Sequence, residues 1–467
     1  MSLPFKQPPP EILLKIFKFA LPPAVFLNAS LAIGPSSPWC LTQRTKKCIV
    51  LVCKLWCQTG TFLLYQDIRL RRIGHVAALL NTLQGSAPLR MLIKAIHITC
   101  EITPQYTLMF DEALRRILEM TPNTTCLSLN MGAYDALAMS IRKYDLSKVV
   151  HLEIDGVHFL EVLPCLAQCK NLTILSIETI RGVIDIDTLT LECLQELRMS
   201  FSSTSLGLLD VIARKWTMPC LRCFAGHHDT PAPDSGMEYI QFLDVYGRHL
   251  ATLSLTATWV EMSPCVLDVQ MLLDRCPALE HLVLVSPTSK NLECTFKMSH
   301  ECLRWIDIWA QWYSSMFASD FAPDSMYIAP DPDDVLSALK AQDFPQLQAV
   351  RLFDRALFDA TIPHLPLLIP PQSVQHRETL RWRFPGIDIQ DYGEKIYRED
   401  MKYVPSSTAD CDGYARESDP MADSDDDQSS GSVSSPSYSA YDSEEGDLEM
   451  LEDFTYLSDG IPRTRQA

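Results

Sequence analysis

Cys220 and Cys223, followed closely by His227, His228 and Asp229, come nearest in this chain to the residue types and spacing of a chemical site. Thiolates and imidazoles at such intervals are zinc donors. A second Cys pair, which would make the match specific, does not follow. Leu221 and Phe224 interleave with the two thiols in a phrase that needs them buried, so the thiols read as small apolar filler and no metal is expected. No cofactor and no catalysis are expected either. The sequence holds no Gly-rich phosphate loop, no Gly-x-Ser-x-Gly elbow and no His-Glu-x-x-His helix. Those are the arrangements that cradle a phosphate, expose a nucleophilic serine or hold a catalytic zinc.

The remaining candidates are binding residues, and their position depends on a recurring phrase, apolar-x-x-apolar-x-apolar. It occurs at Ile93, Ile96 and Ile98; Val149, Leu152 and Ile154; Leu172, Leu175 and Ile177; Leu194, Leu197 and Met199. It returns at Leu250, Leu253 and Leu255; Leu279, Leu282 and Leu284; Leu303, Ile306 and Ile308; Leu347, Val350 and Leu352. Thr124 to Leu129 and Leu221 to Phe224 are degenerate copies. With the central apolar residue as anchor, the copies fall at 96, 127, 152, 175, 197, 224, 253, 282, 306 and 350, most of them 22 to 31 residues apart. The spacing predicts parallel strands joined by helices or irregular turns, because roughly 15 to 20 residues suffice to return the chain to the next strand. Phe110 to Leu118 and Val266 to Leu273 have the helical period for such returns. Asp331-Pro332-Asp333-Asp334 carries the signals of a late helix start, and Pro363 to Pro371 reads as extended chain.

In such a strand the residues flanking the anchor turn to the opposite face. That face is expected to be open and to carry His151 and Glu153, Glu196 and Arg198, His281 and Val283, Trp305 and Asp307, with Trp309 two residues on. Trp beside a carboxylate suits a recognition surface, so these residues are the candidate target-binding set. On the plainer reading the large rings pack beneath residues 314–330, and the Glu196 and Arg198 alternation is a solvated face.

The first 70 residues have a different character. Ile12, Leu13, Ile16, Phe17 and Ala20 fall at helical spacing after Pro10, with Glu11 at the positive end of the helix dipole and Pro22-Pro23 closing the run. Leu51, Val52, Leu55 and Trp56 repeat that spacing. The two segments, Pro9-Pro10-Glu11-Ile12-Leu13 with Ile16-Phe17, and Leu51-Val52-Cys53-Lys54 with Trp56, resemble the two helices of an F-box. Residues 24–48 stand as an insert where a compact F-box would have about half that length. With the repeats, the chain is most similar to F-box proteins with irregular leucine-rich repeats, numerous in mushroom-forming fungi. The resemblance implies an α/β protein with three parts. These are an all-α F-box over residues 1–70, an irregular leucine-rich-repeat-like solenoid over 71–405 and a tail over 406–467. It implies a substrate adaptor of a Skp–cullin ubiquitin ligase, in which Pro10, Ile12, Leu13, Ile16, Phe17, Leu51, Val52, Cys53 and Trp56 bind the Skp-type adaptor. A repeat scaffold with no link to ubiquitin is the alternative.

Composition agrees with an interaction protein. Of the net charge of −18, residues 406–467 carry 16 Asp and Glu against three Arg, which leaves −5 for the preceding 405 residues. A nearly neutral folded part argues against nucleic acid as a partner. The tail, rich in Ser and acid, is expected to be disordered, serving as a solubilising segment or as a substrate for an acidophilic kinase. Lys15, Lys18 and Pro22-Pro23 interrupt any signal sequence, and no apolar run spans a membrane. The 16 cysteines are scattered and read as reduced thiols of a cytoplasmic or nuclear protein, which leaves the sequons at Asn28, Asn123 and Asn171 unused. Cys126, Cys169, Cys193, Cys220, Cys276 and Cys302, each just ahead of a strand, are expected as buried filler.

Overall fold

The computed structural model describes residues 8–21, 38–100, 102–130, 141, 144–155, 159–180, 188–201, 207–228, 235–256, 269–285, 298–310, 341–354, 381–384 and 387–391. Residues 402–467 separate as a unit of their own. That unit, the helix start at Asp331 and the stretch Pro363 to Pro371 lie outside the described residues.

The chain opens with α1 (Pro10–Phe19), α2 (Pro38–Leu51) and α3 (Lys54–Tyr65). Pro10 takes the first turn of α1 with Glu11 beside it, and Lys18 lies in the last turn, each matched to the helix dipole. Leu13 and Phe17 of α1 meet Ile49 of α2 and Leu63 of α3 in one small core, with Leu14, Leu21, Leu55, Trp56 and Phe62 packed around it. The rings of Phe17 and Trp56 lie 4.9 Å apart, tilted by 60°. At Gly60 the α2–α3 approach is so close that a Cβ would stand 2.9 Å from Val50 Cγ1.

One expectation is corrected here. Leu51 to Trp56 is a helix junction and not one helix: Leu51 ends α2, Cys53 is fully extended (φ −164°, ψ 169°), and Trp56 belongs to α3. A β-branched residue, Val52, at the break lowers the helix preference there. Residues 38–48 of the insert 24–48 belong to α2, whose Ile49 supplies a second wall of the small core.

Beyond α3 the molecule is mixed α/β, built among the described residues on a mostly parallel 13-stranded sheet. In chain order its strands are β1 (Asp67–Leu70), β2 (Ala95–Ile98), β3 (Cys126–Asn130), β4 (His151–Asp155), β5 (Ile174–Ile180), β7 (Glu196–Phe201) and β9 (Cys223–His228). β10 (Thr252–Thr256), β11 (His281–Val285), β12 (Trp305–Ala310) and β13 (Ala349–Asp354) follow. Each lies parallel to the one before it. β15 (Ile387–Asp391) joins β13 and carries β14 (Arg381–Phe384) antiparallel at the edge. β6 (Leu189–Thr190) and β8 (Trp216–Thr217) form a separate pair.

The repeated phrase sets this register. Ile96 lies opposite Leu127, Leu127 opposite Leu152, and so on through Leu175, Leu197, Phe224, Leu253, Leu282, Ile306 and Val350, anchor beside anchor. Ile68 and Ile389 extend the row at its two ends. The backbone repeats with it: the carbonyl two residues before an anchor, at Thr125, Val150 or Arg222 for instance, accepts two consecutive N–H groups of the next strand. The first apolar residue of the phrase closes a turn three residues long, as Leu172 does on Cys169 and Leu279 on Cys276. Returns between strands include α4 (Ile73–Gly85), α5 (Ala87–Arg90), α6 (Thr107–Met120), α7 (Phe159–Leu166), α8 (Leu208–Lys215), α9 (Ser235–Tyr246) and α10 (Val269–Leu273). The degenerate copy at Phe224 has a packing cause. Tyr239 of α9 fills the place of its second core side chain, and a Cβ on Gly226 would stand 2.5 Å from that ring.

Candidate functional site

The residues flanking the anchors share the second face of the sheet, as their phase requires, but that face is not open. Glu153, Arg198, His281, Val283, Asp307 and Trp309 are all buried, Asp307 and Trp309 completely. His151, Glu196 and Trp305 are half-buried. The expectation of an exposed recognition face is therefore corrected. Charged side chains tolerate burial here because they are paired: His281 Nε2 meets Asp307 Oδ2 at 2.7 Å, and Arg198 Nε donates to Glu196 Oε1 at 2.6 Å. Trp309 is buried as large aromatics usually are.

Exposure divides this face into two rows. The residue after the anchor is buried along the sheet, at His97, Ser128, Glu153, Ser176, Arg198, Ser254 and Asp307. The residue before it is mostly half-buried, at Cys126, His151, Ile174, Glu196, Cys223, Thr252 and Trp305. The face also carries Asp67 with His97 Nε2 at 3.3 Å. Burial works against the charge on Arg198, yet the fields of Glu196 and Glu153 and the Glu196 hydrogen bond outweigh it and hold the guanidinium above its ordinary pKa. Burial, reinforced by Glu153 and Asp67, pushes the Cys126 thiol up to about 12. Cys223 moves the same way, chiefly by burial.

Of the Cys220 group, Asp229 and the His228 side chain lie outside the described residues. Cys220 is exposed in the turn before β9, while Leu221 and Phe224 enter the core. Among the described residues no cluster of three His, Cys, Asp or Glu side chains is placed to hold a metal ion. The filler reading holds for Cys169 and Cys276, which are buried. It fails for Cys193 and Cys220, which are exposed in turns, and holds only in part for the half-buried Cys126 and Cys302.

On the three helices the nine residues assigned to adaptor binding divide. Leu13 and Phe17 are inside the small core and Trp56 packs against it. Pro10, Ile12, Ile16, Leu51, Val52 and Cys53 face outward. Exposure reaches 46% at Ile12, 49% at Ile16, 70% at Leu51 and 60% at Val52. Phe19, 89% exposed, joins Ile12 and Ile16. At about 100° per residue these three fall within one sector of α1, bordered on one side by Glu11, Lys15 and Lys18 and adjoining on the other the sector that holds Leu13, Leu14, Phe17 and Leu21. Phe19 was missed because the two apolar stripes merge when apolar residues are only counted.

A charge signal was missed as well. Residues 38–100 contain nine Lys or Arg and only Asp67 as an acid, a balance of +8 within a chain of −18. Arg44, Lys54 and Lys94 are exposed. Lys46 is buried on α2, where burial pulls its pKa down against the field of Asp67. Counting charge in windows would have found this region.

Fold and surfaces together define a mixed α/β protein with a mostly parallel sheet and three leading helices. No protein-family profile matches the chain, and its sequence finds no match among curated proteins. Among the described residues no helix is long and apolar enough to cross a membrane.

Proposed function

We propose that the chain is a non-catalytic substrate receptor of a Skp–cullin ubiquitin ligase, whose α1–α3 unit is an F-box that docks a Skp-type adaptor. The repeats behind it form an irregular leucine-rich-repeat solenoid that takes the target protein. One observation carries the docking half. α1 satisfies its own core with Leu13 and Phe17 and still presents Ile12, Ile16 and Phe19 to solvent, and the α2–α3 junction exposes Leu51 and Val52. Exposed apolar residues grouped on one element mark an interaction site.

Burying an isoleucine side chain contributes about 1.5–3 kcal/mol, and each 1.4 kcal/mol is about tenfold in affinity. Ile12→Asp with Ile16→Asp is therefore expected to weaken copurification with the adaptor by on the order of a hundredfold or more, with the circular dichroism spectrum unchanged. Undiminished capture by a folded double variant rejects the F-box assignment, and with it the ligase function, leaving a repeat scaffold.

A further inference from the structure

The three leading helices are short of acid. Between Glu11 and Asp67 the chain holds six cations, Lys15, Lys18, Arg44, Lys46, Lys47 and Lys54, and no Asp or Glu, although 58 occur in the full sequence. On α2 the inner face takes Thr42, Gln43, Lys46, Ile49 and Val50, all buried. The outer face keeps Arg44, Cys48 and Leu51 exposed and Lys47 half-buried. At about 100° per residue these four share one sector of the helix. Val52 is exposed at the break, and Lys54, the first residue of α3, is exposed three residues past Leu51, at most about 11 Å away along the chain. The α2–α3 junction is therefore a small apolar patch, Leu51 and Val52, flanked by Arg44, Lys47 and Lys54, in a segment that supplies no carboxylate to neutralise them.

Each feature restricts the partner. Exposed Leu51 and Val52 call for apolar cover, which a phosphate backbone does not supply. A lipid surface is met by a continuous apolar helix face, and Arg44 and Lys47 interrupt the outer face of α2. Cations around an apolar centre complement a protein surface that carries apolar side chains within a rim of Asp and Glu.

We propose that the adaptor surface meeting the α2–α3 junction is acidic, and that Arg44, Lys47 and Lys54 steer it onto Leu51 and Val52. The inference rests on the docking role proposed for α1–α3. Rim charges act chiefly on the rate of encounter, and covered apolar contacts set how long a complex lasts. The cations thus add speed of association, and the apolar pair adds lifetime.

The test follows association and dissociation of the full chain with a purified Skp-type adaptor, by biolayer interferometry over a series of sodium chloride concentrations. The association rate is expected to fall roughly tenfold or more between about 0.05 M and about 0.5 M salt, with dissociation little changed. Arg44→Glu with Lys54→Glu should lower the association rate in low salt by roughly tenfold or more, with the circular dichroism spectrum unchanged. Lys148→Glu with Lys170→Glu, an equal change of charge at exposed positions among the repeats, should lower it by less than about twofold. A salt-independent association rate, or equal losses in the two charge-reversed variants, overturns the proposal. Should Arg44→Glu with Lys54→Glu fail to fold, the salt series on the unaltered chain decides. Binding that is lost in Ile12→Asp with Ile16→Asp yet is indifferent to salt and to Arg44 and Lys54 sinks this inference alone. No binding by the unaltered chain sinks the ligase reading, and this inference with it.

Discussion

The three leading helices and the sheet dispose of their side chains in opposite ways. On α1–α3 large apolar residues stay in solvent, at Ile12, Ile16, Phe19, Leu51 and Val52, around a core of only a few residues. On the sheet the apolar anchors are sealed, and even His97, Glu153, Arg198 and Asp307 are withdrawn from water. A short helix cannot bury two stripes against two neighbours, whereas each interior strand is flanked by a copy of itself whose anchor lies in register. Exposure is therefore distributed differently in the two regions: the helices leave apolar residues in solvent, and the sheet withdraws polar ones from it.

The comparison breaks most visibly at Phe17. Phe17→Ala is expected to cost about 3–5 kcal/mol locally, opening α1–α3 to hydrogen exchange while β2–β12 stay protected. Ile16→Ala, one residue away, should leave exchange over α1–α3 as in the parent chain. Equal protection in both variants would mean that the inward and outward stripes are wrongly assigned.

On the sheet a smaller loss is expected at Asp307→Asn, about 1.5–3 kcal/mol, because the charge-assisted contact with His281 disappears from a fully buried site. Trp305→Ala, at a half-buried position in the accessible row, should cost less. Denaturant titration of the two variants checks the order. A neutral Asp307→Asn would show that burial of this face has no need of its pairs.

The smallest effect concerns thiols. Burial pushes Cys169 and Cys276 up to about 12, so their thiolate fraction at pH 8 is on the order of 10⁻⁴ and alkylation should leave them unmodified in the folded chain. Exposed Cys48, Cys53, Cys193 and Cys220 should react within the same time. Peptide mapping by mass spectrometry reads the contrast. Rapid labelling of Cys276 would show that the turn before β11 opens in solution.

The sequence by itself determined where the strands run and which residue of each becomes its anchor. A period of two and a phrase repeated at short intervals are local patterns, and every anchor from Ile96 to Val350 lies in a strand beside the next. It also placed the start of α1, through Pro10 and Glu11, and the helical return over Phe110 to Leu118, which lies within α6. The tertiary structure decided the rest. α2 took shape because a third helix was needed to close the core around Phe17, and its own apolar pattern is weak. Whether Ile16 or Phe17 faces inward, whether Glu153 sees water, and that His281 finds Asp307 26 residues away all depend on what lies beside and across each side chain. Alternation divides a strand into two faces, and only packing decides which of them is covered.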